Sequence, residues 1–289
     1  MKNLKTAQLS FFVLWVFLLS VCSTPPKNPG EISDLRRRAE SQLELANKQA
    51  DRDSFEEALA MVDEAKRLGI AADDPDLRTR AGLLRGNVLF SLGREDEAAA
   101  EWNEALSEAE RTGNAELAAV SRIHIARGKL RSPGGKAGAQ SVLDETNRNL
   151  AQIKSSRHYI AFAWTLVGLA EKELGRYDRA EAALNNSLKI HEKDRYFELA
   201  AYDWYLTASF RSLSRDYNGA RQALEKAIAF DRRIENSWGL ASDWRALGDV
   251  EKKAGNAEAA RAAYIRASEI FRSIESPAAA EEALSRIER

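Results

Sequence analysis

The chain has 289 residues, 44% of them apolar and 30% charged, which is enough to bury a substantial core. Its 43 Lys and Arg are matched by 44 Asp and Glu, so there is no overall basic field to attract nucleic acid through its phosphates, and that partner class is set aside. Proline occurs only at Pro25, Pro26, Pro29, Pro75, Pro133 and Pro277, and the long interval from Gly134 to Ser276 therefore reads as helix.

The first 22 residues stand apart. Lys2 and Lys5 give a positive start, Leu9 to Val21 is almost wholly apolar, and Cys22, the only cysteine, follows directly. The apolar run is shorter than the roughly 20 residues of a spanning helix and reads as a secretory signal. Leu19-Ser20-Val21-Cys22 resembles a bacterial lipobox, in which the cysteine thiol is acylated and becomes the new N-terminus. Val21 departs from the Gly, Ala or Ser usual before that cysteine, and an ordinary signal-peptidase site, with cleavage before Thr24, also fits. Residues 23–31 then form a Pro-rich tether that holds the rest off the bilayer. With no second cysteine the remaining chain has no internal disulfide, so packing must supply its stability.

From residue 32 to 275 the chain repeats itself. Ala58, Ala98, Ala139, Ala180, Ala220 and Ala260 recur at steps of 40 or 41. Four residues after each stands a larger one: Val62, Trp102, Leu143, Leu184, Leu224 and Tyr264. Trp164, Trp204 and Trp244 are spaced by 40 and precede the last three alanines at a fixed offset. Helix starts are marked by a capping box at Ser54 and Glu57, by Asp74-Pro75, and by Asn114 and Asn256. Gly93, Gly134, Gly175 and Gly255 are placed to end the first helix of a hairpin. Ser276-Pro277 opens a final amphipathic helix over 276–289, suited to capping a stack. Two helices from each of six units plus this cap make thirteen.

Trp164-x-x-Val167-Gly168 with Gly175, Tyr177, Ala180 and Leu184, and Trp244-x-x-Leu247-Gly248 with Gly255, Ala260 and Tyr264, resemble the tetratricopeptide repeat fingerprint. The resemblance implies an all-α, right-handed superhelical solenoid of helical hairpins whose first helices line a concave groove. The usual unit is about 34 residues. The extra six here lengthen each helix by roughly 4.5 Å, close to one turn, as in the long-repeat branch represented by kinesin light chains and bacterial peptide-sensing regulators. The third unit, through Ser132-Pro133-Gly134-Gly135, is the least regular.

Catalytic material is thin. His124, His158 and His191 are distant in sequence, His191-Glu192 lacks the second histidine of a zinc-protease helix, and Gly134-Gly135-Lys136 lacks the first glycine and the Ser/Thr of a phosphate loop. No metal, cofactor or enzymatic reaction is expected. The groove remains. Positions expected to face it are Arg80 and Asn87, His124 and Arg131, Phe162 and Thr165, Tyr202 and Tyr205, and Arg245 and Asp249, with aromatics in its middle. Trp164, Trp204 and Trp244 are assigned to the core. Taken together, the sequence reads as a lipid-anchored scaffold of the bacterial cell envelope that binds a protein or peptide, with a soluble secreted form as the other location. The alternative function is a peptide or small-molecule receptor feeding a transporter.

Overall fold

A computed structural model describes residues 33–50, 54–130 and 135–288. Among these there are thirteen α-helices and no strand. They are α1 (Asp34–Ala50), α2 (Phe55–Ala71), α3 (Pro75–Ser91), α4 (Glu95–Arg111), α5 (Ala115–Gly128), α6 (Gly135–Leu150) and α7 (Arg157–Glu173). The series continues with α8 (Tyr177–Asp194), α9 (Phe197–Leu213), α10 (Tyr217–Arg233), α11 (Ser237–Lys253), α12 (Ala257–Ser273) and α13 (Pro277–Glu288). None of the described helices is long and apolar enough to cross a membrane. Cys22, the signal segment, the tether and Arg131 lie outside the described residues.

Every helix packs on its neighbour in sequence, and α1, α3, α5 and α7 also touch in succession, as do α9 and α11. Odd-numbered helices therefore form an inner row and even-numbered ones an outer row, the arrangement of a hairpin solenoid. The alanine column permits this close stacking, because every member from Ala58 to Ala260 is buried. Glycine does the same at Gly86 and Gly248. A Cβ on Gly86 would lie 2.3 Å from the indole nitrogen of Trp102, and one on Gly248 2.5 Å from the ring of Tyr264. Only a residue without a side chain lets those large rings reach the opposite helix.

Helix ends follow the sequence signals in part. Gly93, Gly175 and Gly255 take left-handed φ values of 76°, 76° and 83°. The next amide then bonds back to the helix, as Arg94 does to the Leu89 carbonyl at 2.9 Å. Asp74 and Asn114 cap their helices by accepting from the amides of Leu77 and Leu117. Ser54 and Asn256 differ from expectation, since neither makes a side-chain cap. The Asn256 amide instead donates to Glu251 across the turn at 2.7 Å.

The tryptophan column also differs. Trp164, Trp204 and Trp244 are half-buried and border the core instead of lying within it. Each packs against the rim of a buried apolar cluster, and on two of them the second helix lays a cation over the ring: Lys226 sits 3.9 Å above Trp204 and Arg266 4.6 Å above Trp244. Among the described residues the fully buried tryptophan is Trp102, in the column of large residues on the second helices.

Candidate functional site

The inner row curls far enough to bring the C-terminal end of α1 opposite α9, and two adjoining chambers lie along it. The wide one has a volume of about 700 Å³ and is lined by polar and charged residues such as Arg36, Glu40, Asp76, Arg80 and Glu116, with Tyr159 and Tyr196. The narrow one, about 260 Å³, is walled by Phe162, Leu166, Leu169 and Tyr202, with Ala50 and Val88 facing them. Asn47, Leu84, Asn87 and His158 belong to both walls. The two chambers are thus one continuous trough across the first five units.

Hydrogen bonds fix its rim. Arg80 stands 3.5 Å from Glu40 and reaches the Tyr159 hydroxyl. The Glu116 carboxylate accepts from the amides of Ser155 and Ser156 at 3.1 and 2.9 Å, and from the Ser155 hydroxyl at 2.8 Å. It thereby pins the linker between α6 and α7 to the wall.

The positions expected in the groove divide into three groups. Arg80, Asn87, Phe162 and Tyr202 line the chambers, and Asn87 accepts from Arg127 at 3.4 Å. His124 and Thr165 also lie on the walls, but both are buried. The His124 ring is held in an aromatic stack, 4.3 Å from Phe162 and 5.7 Å from Trp102. Burial, with the charge of nearby Arg127, holds its pKa well below the usual histidine range, so it is a neutral packing residue. Tyr205, Arg245 and Asp249 form the third group and are engaged elsewhere. Tyr205 is half-buried, lies under Tyr202 with ring centroids 6.5 Å apart, and packs against two buried clusters, one containing Phe210 and the other Leu224. Arg245 donates to Glu282 at 2.7 Å, and Asp249 accepts from Arg286 and from the Tyr264 hydroxyl. Helix α13 docks as a seventh inner helix, so it covers the end of the row where these two were expected to be open.

The sequence profile of the tetratricopeptide repeat family matches residues 163–194, which are α7 from its seventh residue onward and all of α8. These residues form a tetratricopeptide repeat, set in a solenoid of like hairpins. No curated protein matches the chain in sequence. Among solved structures it resembles BtubC (BKLC) from P. vanneervenii, at 18% identity with a TM-score of 0.58 over 84% of this chain and 93% of that one. A Rap protein complexed with Competence and Sporulation Factor gives 14% identity and a TM-score of 0.59 over 87% and 75%. PilW, a type IV pilus biogenesis factor, gives 18% and 0.51 over 83% and 96%. At these identities the likeness concerns the fold.

The tetratricopeptide hairpin picked out by the family profile also carries a polar cluster that sequence spacing did not suggest. The Thr165 hydroxyl donates to Asp203 at 3.0 Å and lies 2.9 Å from the Ser187 hydroxyl. His191 Nδ1 is 2.8 Å from the other oxygen of Asp203. All four residues are buried. One repeat later the corresponding pair is Asp231 and Asp243, also buried, with the Asn236 amide donating to Asp231 at 3.0 Å. Burial and the neighbouring Asp231 push the Asp243 carboxyl up to about 9. The signal was present in the 40-residue columns His191, Asp231, Phe271 and Asp203, Asp243, Ala283. Among the described residues no group of three or more His, Cys, Asp or Glu is placed to hold a metal ion.

Proposed function

We propose that this protein is a non-catalytic binding scaffold of the bacterial cell envelope, anchored by a lipid on Cys22, that holds an extended segment of a protein partner in the inner trough. The observation that carries this reading is the trough itself: two joined chambers spanning five repeats, charged and polar at the wide end and aromatic at the narrow end. A small-molecule receptor would call for an enclosed apolar cavity. A long open trough whose wall alternates charge, amide and aromatic groups suits a peptide chain, which presents all three chemistries in turn. The Rap protein among the similar structures was solved with Competence and Sporulation Factor bound, which supports a binding role for a solenoid of this shape. The tether and Cys22 would place the trough close to a membrane surface, and lipid anchoring is durable once more than one acyl chain is attached.

Two experiments test this reading. Affinity capture from detergent-solubilised membranes is expected to recover an envelope protein with the wild-type chain. Tyr202 is 48% exposed on the narrow chamber's wall, so Tyr202→Ala should weaken that capture by about 1 to 3 kcal/mol with little loss of folding stability. Unchanged capture by the variant would contradict a partner in the trough. For the anchor, Cys22→Ser should abolish acyl labelling and move the protein to the soluble fraction. Retention of that variant in the membrane would contradict a lipid anchor on Cys22.

A further inference from the structure

The wide chamber carries an unbalanced charge. Arg36 and Arg80 line it against the carboxylates of Glu40, Glu44, Asp76 and Glu116, which leaves the wall two charges negative. Its histidines do not offset this. Burial holds His124 well below the usual histidine range, and desolvation with His191 close by lowers His158 to about 4. Both arginines are engaged already: Arg80 stands 3.5 Å from Glu40, and Arg36 stands 3.6 Å from Glu40 and 3.4 Å from Asp74. Glu44 has Lys48 at 3.0 Å, but both are exposed, so that pair contributes little. Asp76 and Glu116 have neutral partners only. Asp76 accepts from the Asn114 amide at 2.9 Å and Glu116 from Ser155 and Ser156, and among the described residues neither forms an ion pair. They stand in the first turns of α3 and α5, where the end of a helix dipole amounts to only about half a charge. One polar group on the same wall is also unsatisfied: His124 is 3% exposed and its Nδ1 is buried without a hydrogen-bond partner.

We infer that the wide chamber takes a basic side chain of the partner segment, an arginine or a lysine drawn to Asp76 and Glu116, while apolar residues beside it in the segment enter the narrow chamber. This rests on the reading of the trough as a segment-binding groove. A cation placed there supplies the missing counter-charge, and a concave wall of one sign attracts it more strongly than an open surface would. An acidic side chain would instead meet four carboxylates, so the same wall rejects the wrong partner. Tyr196, 41% exposed on this lining, offers a ring on which a guanidinium can lie. Where the chambers join, Asn47 and Asn87 present side-chain amides, which suit a passing main chain. Beyond them Phe162, Leu166 and Leu169 make the narrow chamber an apolar recess for the neighbouring side chains.

The test uses the full chain and a blocked peptide that reads alike in both directions, acetyl-Ala-Leu-Phe-Ala-Arg-Ala-Phe-Leu-Ala-amide, titrated by calorimetry. Counterparts carry lysine, citrulline or glutamate in place of the arginine, citrulline having its shape without its charge. The Arg and Lys peptides are expected to bind at least about tenfold tighter than the citrulline one, with glutamate weakest. The advantage should shrink as salt is raised. Asp76→Asn combined with Glu44→Gln makes the wall neutral while leaving Asn114 an oxygen to donate to, and should cut the advantage to about threefold or less with an unchanged thermal melt. A tenfold advantage that survives in this variant would overturn the assignment to this wall. Equal binding of the Arg and citrulline peptides, both weakened by Tyr202→Ala, would overturn recognition of a basic side chain and leave the groove reading intact. So would a citrulline peptide with a free amino terminus binding as tightly as the Arg peptide, since a chain start would then be the preferred cation. Binding of none of the peptides, alongside Tyr202-dependent capture of a partner, would overturn the chamber's role and spare that of the trough.

Discussion

Trp102→Ala is expected to lower folding stability by about 3 to 5 kcal/mol. Trp102 is 1% exposed, its ring centroid lies 5.5 Å from that of Phe90 and 5.7 Å from that of His124, and its indole N–H donates to the Leu83 carbonyl at 3.3 Å. Removing it opens a cavity against Gly86, which has no side chain to fill the space, and leaves that carbonyl without the indole. The loss should spread, because His124 bridges Trp102 to Phe162 and so couples the second unit to the fourth. Trp204→Ala, by contrast, removes a half-buried ring under Lys226 and should cost about 1 to 2 kcal/mol. Denaturant titrations of the two variants measure the difference. Equal losses would show that the tryptophan column on the first helices belongs to the core after all.

The contrast between these two tryptophans shows what local sequence can and cannot reveal. The period, the alanine column and the thirteen helices are readable because each depends on contacts within one hairpin or between neighbours, which recur every 40 residues. The burial of Trp204 was misjudged because a tryptophan at a fixed offset says only which helix face it occupies. Whether that face is covered depends on the second helix, here on Lys226. The trough was legible in outline, through Phe162 and Tyr202, but its walls were not. That Asn47 and Ala50 of α1 meet Tyr202 of α9 follows from small rotations accumulated over five repeats, which no short window of sequence encodes. Arg245 and Asp249 were misplaced for a related reason: a terminal helix read as a cap on the end of the stack also covers the last inner helix.

The second large effect is on pH dependence. Asp231 and Asp243 are 4% and 2% exposed between α10 and α11, and Glu198 adds a further negative charge near Asp231. With the Asp231 carboxyl raised to about 6 and that of Asp243 to about 9, the folded protein holds one proton more than the unfolded chain between those two values. Stability therefore falls as pH rises through that interval, at up to about 1.4 kcal/mol per pH unit, and the decline ends once the folded pair has also lost its proton. Between about pH 7 and about pH 9 the wild type should lose about 2 kcal/mol. Asp243→Asn keeps a donor for Asp231 without a proton to lose, so its stability over the same range should be nearly flat. Asp231→His recreates the His191–Asp203 pairing one repeat further on, and should likewise remove the alkaline loss. Denaturant midpoints across this range, with hydrogen exchange in α11 as the local readout, supply the test. Parallel decline in the wild type and Asp243→Asn would mean that the acid pair is not its source.

The central claim is that a partner segment lies in the inner trough and not on the outer helices. It is tested most directly by placing a photo-reactive p-benzoylphenylalanine either at Tyr202, on the narrow chamber's wall, or at Gln222, exposed on α10 of the outer row, in the full chain. Irradiation is expected to give a discrete adduct with one partner protein from position 202 and none from position 222, with the crosslink mapping to an extended segment of that partner. An adduct formed from position 222 alone would place the partner on the outer face and contradict the account.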